Sequence, residues 1–136
     1  MFSTILVPVD INHKDWAVNA LKHVQGINDD KVRIVLLHVA YELPTYAMSS
    51  LPEKIMKENQ EKIRLELEQL ASQTGSNVIA EVRVGHAAST ILQEAERLQA
   101  DLIVIGSHQP GMTDYFIGST ASRVVRHAKC SVLVSR

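Results

Sequence analysis

Short, nearly unbroken apolar runs alternate along the chain with segments whose apolar positions recur every three or four residues. Runs of the first kind are strands buried on both faces. Segments of the second kind are amphipathic helices, and their regular alternation predicts βαβ units with helices covering both faces of a parallel sheet. Five strands are expected, at 4–9, 32–39, 78–84, 101–107 and 130–135. The second, Val32 to Val39, is apolar almost throughout and belongs at the centre of the sheet. The last has no following helix and makes a free sheet edge.

The helical segments are marked by their buried stripes. Ala17, Ala20, Leu21 and Val24 form the first, with Asn12 as its N-cap, Asp15 in its first turn and Gly26 as its stop. Ile63, Leu67 and Leu70 line a long helix over 53–73, whose outer face carries the spaced pairs Glu58/Lys62 and Lys62/Glu66, and which Gly75 ends. Ile91, Ala95 and Leu98 define a third. Ala121, Val124, Val125 and Ala128 define a fourth over 119–128, with Arg123, Arg126 and His127 suited to the negative end of its dipole. Between the second strand and the long helix, Tyr41 to Pro52 has no period and reads as an extended loop.

Composition narrows the class. A chain of 136 residues that is 46% hydrophobic makes one domain, 1–136, with a real core. Fourteen basic and fifteen acidic residues leave a net charge of −1 with no Lys/Arg cluster, which argues against nucleic acid and membrane surfaces as partners. No apolar run approaches the roughly 18 residues of a spanning helix. The start, Met1-Phe2-Ser3-Thr4 leading into Ile5-Leu6-Val7, lacks the features of a signal peptide, and a single cysteine excludes an internal disulfide framework, so a cytoplasmic protein is expected. The six histidines have no metal-ligand spacing. Cys130 reads as a small core residue, and Ser107, Ser119 and Ser122 lack the setting of a nucleophile, so no catalytic residue is expected.

The chemistry-bearing stretch runs from Gly106 to Gly118. It holds three of the six glycines, follows the apolar run Leu102-Ile103-Val104-Ile105, and precedes Ser119-Thr120. Strand, glycine loop and helix start in that order suit a phosphate, because glycine allows close backbone approach and a helix N-terminus offers free amides. Plain turn chemistry is the competing reading. A P-loop is excluded by Met112 where lysine is required, and no two glycines have the single-residue spacing of a dinucleotide fingerprint. No Lys or Arg occurs between Leu98 and Ser122. A phosphate there would rely on backbone amides, on the hydroxyls of Ser107, Ser119 and Thr120, on His108 and on a metal ion, a donor set suited to holding a nucleotide rather than cleaving it.

These residues resemble the universal stress proteins, whose signature is a glycine, two residues, a glycine, nine residues, and a glycine followed by serine or threonine. The likeness covers the whole chain: Ile5-Leu6-Val7-Pro8-Val9-Asp10, Leu37-His38-Val39, the stretch from Asp101 to His108, and the ending from Gly118 to Val134. It is closest to the bacterial F-type and G-type branch.

The resemblance implies a doubly wound α/β domain with strand order 3-2-1-4-5, and a regulatory adenine nucleotide, ATP, ADP or AMP, with Mg2+ or Mn2+ as the accompanying ion. It implies adenine and ribose contacts at Asp10 and Val39, backbone contacts at Pro8 and Val9, and ribose and phosphate contacts at Gly106, Gly118, Ser119 and Thr120. Asp10 also reads as a cap for the following helix, and His108 as a structural hydrogen bonder. Gln109 stands where the signature has its second glycine, with eight residues rather than nine before Gly118, so a side chain and a shortened loop reshape the seat; Gly111 is the candidate for restoring its freedom. A homodimer through the C-terminal strand is expected. A slow ATP-hydrolysing or phosphoryl-transferring enzyme, and an interaction module without nucleotide, are the alternatives.

Overall fold

In the computed structural model, which describes residues 2–27, 31–40, 52–107 and 118–136, the five apolar runs are parallel strands: β1 Thr4–Pro8, β2 Arg33–Ala40, β3 Val78–Val84, β4 Leu102–Gly106 and β5 Ser131–Ser135. They form one sheet in the order β3-β2-β1-β4-β5. Among the described residues four α-helices accompany them: α1 Lys14–Ile27, α2 Glu53–Thr74, α3 Ala87–Arg97 and α4 Ser119–His127.

Side-chain alternation splits the core in two. Ile5, Val7, Leu102 and Val104 point to the face covered by α1 and α2, where they pack with Leu21, Val24 and Leu67. Leu6, Ile103 and Ile105 point to the other face, among Ile91, Ala95 and Val124 of α3 and α4. A helix cover on both sides is what lets β1, β2 and β4 be apolar at successive positions, and Ile5, Leu6 and Val7 are all fully buried.

Most boundaries fall within a residue or two of the periodic pattern, and two local signals act differently from expectation. Asp10, not Asn12, is the first cap: its carboxylate accepts the Asn12 amide and starts a 3-10 turn, Ile11–His13, that leads into α1. Gly26 does not stop α1, which continues to Ile27. The site is exposed and its φ is not positive, so the helix crosses it at the usual entropic cost of about 1 kcal/mol. Gly75 does end α2, donating its amide to the Ala71 carbonyl at 3.3 Å.

An ionic cluster ties α3 to the edge strand β3. Glu94, nearly buried, meets Arg83 at 3.2 Å and Arg97 at 2.7 Å, and Glu81 meets the same two arginines. No helix among the described residues is long and apolar enough to cross a membrane.

Candidate functional site

The order of the sheet reverses between β1 and β4, since the chain steps from β1 to β2 on one side and from β4 to β5 on the other. Crevices at such switch points, beyond the carboxyl ends of the strands, are where doubly wound sheets hold ligands. Local hydrogen bonds open this one. The pairing of β1 with β4 ends at Leu6 and Ile103, while β1 stays paired with β2 through Pro8 and Leu37. Past that point the Val9 amide donates to the Leu37 carbonyl at 2.8 Å, and the Ser107 amide donates to the Ser135 carbonyl at 3.1 Å. One wall is thus fastened towards β2 and the other towards β5.

The first wall is Pro8, Val9 and Asp10, with Val39 beside it on β2. Val9 is buried, and Val39 is partly buried against the core on the α3 and α4 side. His38 steadies this wall: its Nδ1 lies 3.1 Å from the Val9 carbonyl, so Nδ1 carries the proton and donates. Asp10 is mostly exposed. One oxygen accepts the Asn12 amide at 3.0 Å and the other lies 3.8 Å from His13 Nε2. A carboxylate has about four acceptor positions, so capping leaves Asp10 with lone pairs to spare. Capping and ligand contact are compatible in this geometry.

The remaining part of the candidate site is the start of α4. Gly118, buried, is its N-cap with φ −54° and ψ 153°, and the Ser122 amide closes the first turn on the Gly118 carbonyl at 2.9 Å. No side chain among the described residues caps this end. The amides of Ser119, Thr120 and Ala121 lack intrahelical acceptors by the geometry of any helix start, and they sit at the positive end of the dipole. Exposed Ser119 and half-exposed Thr120 add two hydroxyls. Such a terminus receives anions without any lysine or arginine.

Gly106 ends β4 and has a different neighbour. A Cβ built on it would lie 3.0 Å from Cε2, 3.2 Å from Nε1 and 3.3 Å from Cζ2 of Trp16, on α1. The close approach that this glycine allows is made by an indole. The structure therefore places Pro8, Val9, Asp10, Val39 and Gly106 at or just past the carboxyl ends of β1, β2 and β4, and Gly118, Ser119 and Thr120 at the start of α4, while His108, Gln109 and Gly111 lie outside the described residues. Trp16 has no part in the sequence expectations, and His38 enters them only within the run Leu37-His38-Val39 with no role of its own, because both roles depend on partners far away in the chain. Cys130 stands apart from this end: burial, reinforced by the charge of Asp101, holds its thiol above the ordinary range, which suits an inert, partly buried residue packed against the α3 and α4 core.

The sequence profile of the universal stress protein family matches residues 1–136. Universal stress protein G of Escherichia coli O157:H7 is 33% identical over 146 residues, covering 100% of both chains. Among solved structures, the universal stress protein UspA from Lactobacillus plantarum superposes with a TM-score of 0.72 at 27% identity, covering 98% of this chain and 97% of its own. The universal stress protein from Archaeoglobus fulgidus in complex with dAMP has a TM-score of 0.65 at 19% identity, covering 98% of each chain, and shares the fold.

Proposed function

This chain belongs to the universal stress protein family, and on that premise we propose that it binds an adenine nucleotide, ATP, ADP or AMP, in the switch-point crevice as a regulatory ligand. The observation that carries the proposal is the start of α4, a buried glycine N-cap behind which no side chain among the described residues caps the amides, in a fold that also leaves the Asp10 carboxylate exposed just past the end of β1. In this reading the phosphates rest on the amides and hydroxyls of Ser119 and Thr120, with Gly118 admitting them closely. Asp10 accepts from the adenine amino group or a ribose hydroxyl. Pro8, Val9 and Val39 supply backbone contacts and an apolar wall for the base, and His108, Gln109 and Gly111 belong to the segment joining Gly106 to Gly118. The dAMP-bound relative supports the ligand class. Mg2+ or Mn2+ would neutralise a triphosphate there, supplying charge that the chain lacks between Leu98 and Ser122.

That lack of cations favours holding over cleaving, because phosphoryl transfer needs positive charge at the γ-phosphate and a placed nucleophile. A cytoplasmic setting and a homodimer joined through β5 complete the proposal. β5 is a sheet edge with Leu133 exposed and Val132 and Val134 half-buried, the pattern of a strand that gains from a partner. The test is to denature the purified protein, identify the nucleotide released, and titrate the intact protein with ATP, ADP and AMP by calorimetry. Binding at micromolar to millimolar concentration supports the reading, and its absence for all three at millimolar concentration overturns it. Release of ADP and phosphate over repeated turnovers with Mg2+ or Mn2+ would favour the slow enzyme instead.

A further inference from the structure

We propose that Trp16 is a positioning residue that sets the separation of the two crevice walls by bearing on Gly106, and that position 106 is glycine because the indole occupies the place of its side chain. This rests on the nucleotide reading above.

The connection is short and stiff on both sides. Asp10, on the first wall, caps the 3-10 turn Ile11–His13, and α1 continues from that turn with Trp16 in its first turn. Gly106 is the last residue of β4, where the second wall begins. Trp16, the only tryptophan in the chain, thus bridges the element that carries Asp10 and the strand that leads into the glycine segment. Its ring packs against the α1 and α2 core, so it cannot swing freely away from β4. Its Nε1 is buried and finds no hydrogen-bond partner among the described residues. Among the described residues, then, what the ring contributes is its size and flatness. A glycine that simply awaited a ligand would leave its Cβ space open, whereas here that space is filled from within the fold.

The two explanations of Gly106 separate in a double-substitution cycle with ATP and AMP as probes, read by calorimetry with thermal melting alongside. Gly106→Ala should weaken binding about tenfold, because overpacking at 3.0 Å displaces either the indole or the end of β4. Trp16→Leu should weaken it a few-fold through loss of the spacer. The combined variant should bind within about threefold of Trp16→Leu, because the added methyl then has room. A combined variant that keeps the full Gly106→Ala loss would mean that the methyl meets the ligand, and overturns the proposal. So does a Gly106→Ala protein that melts lower yet binds normally. If Gly106→Ala does not fold, Trp16→Phe against Trp16→Leu decides: the flat ring should retain affinity better, and equal affinities overturn the role. If the unaltered protein binds neither nucleotide, the functional reading falls and takes the positioning role with it, while non-additive melting temperatures still establish the Trp16–Gly106 contact.

Discussion

Asp101 and Ser3, 98 positions apart in the chain, meet where the Ser3 amide donates to a carboxylate oxygen at 2.8 Å. The second oxygen accepts the Thr4 amide at 2.9 Å, and the Asp101 amide in turn donates to the Thr4 carbonyl at 3.0 Å. One side chain therefore locks the entry of β1 to the entry of β4, at the end of the sheet opposite the crevice. Burial pushes this carboxyl up, but the Ser3 and Thr4 amides outweigh it and hold it below its ordinary value.

Replacing Asp101 by alanine should destabilise the fold by about 1–3 kcal/mol, since two backbone donors lose their acceptor. The pH dependence follows from the sign of the shift. A carboxyl depressed in the folded state contributes fully above its unfolded value of about 3.9 and loses that contribution as pH falls through the lower folded value. Asp101→Asn should flatten this acid limb. Urea unfolding of the variants between neutral pH and pH 3 checks both outcomes, and an unchanged acid limb in Asp101→Asn rules out this carboxyl as its source.

Glu94 should matter more than an ordinary surface ion pair. Its side chain is 9% exposed, and the Arg97 hydrogen bond, with the charges of Arg83 and Arg97, holds its carboxyl below the usual range against the effect of burial. Glu94→Ala leaves two half-exposed arginines sharing Glu81, and should cost about 1–2 kcal/mol after allowance for solvent screening. Double-variant cycles of Glu94→Ala with Arg83→Ala and Arg97→Ala, measured by chemical denaturation, should be non-additive. Additivity would show that the cluster is merely solvated.

Asp10 has two separable tasks. Asp10→Asn preserves an acceptor for the Asn12 amide and should melt close to the unaltered protein, whereas Asp10→Ala should lose about 1 kcal/mol as a cap. If the same residue contacts base or ribose, Asp10→Ala lowers affinity for adenosine and for ATP by the same factor, about tenfold for one hydrogen bond to a charged group. Calorimetric titration with both ligands makes the comparison. A loss confined to ATP would move the contact to the phosphates and refute the assignment.

Assembly is tested most directly on the unaltered chain. Light scattering at micromolar concentration should report a dimer, and Leu133→Asp, which puts a charge on a residue 39% exposed in the isolated subunit, should shift it to monomer without changing its circular dichroism. A monomer before any substitution would end the idea of pairing through β5.

Strand and helix periods were readable from the chain because each depends only on which faces of a local segment are buried. The run Ile34-Val35-Leu36-Leu37 announces burial on both faces wherever it lies in the sheet. The spacing of Ile63, Leu67 and Leu70 and the stop at Gly75 likewise need no distant partner. That Gly106 closes a strand and Gly118 opens a helix also followed, since an apolar run precedes the one and a helical stripe follows the other. The strand order needed the family resemblance, because local periodicity does not say which strand pairs with which. Caps were harder to assign: Asp10 and Asn12 are both good caps, and the extended backbone leaving β1 put Asp10 in place to start the turn. What only the tertiary structure decided are the contacts made through strand pairing and helix packing. His38 reaches the Val9 carbonyl because β2 lies beside β1, Asp101 reaches Ser3 and Thr4 because β4 lies on the other side, and Trp16 fills the space at Gly106 because α1 packs over β4. In the chain, Gly106 looks like a place kept open for a ligand; in the fold its missing side chain makes room for an indole from another element, and no local pattern encodes a contact between residues so far apart.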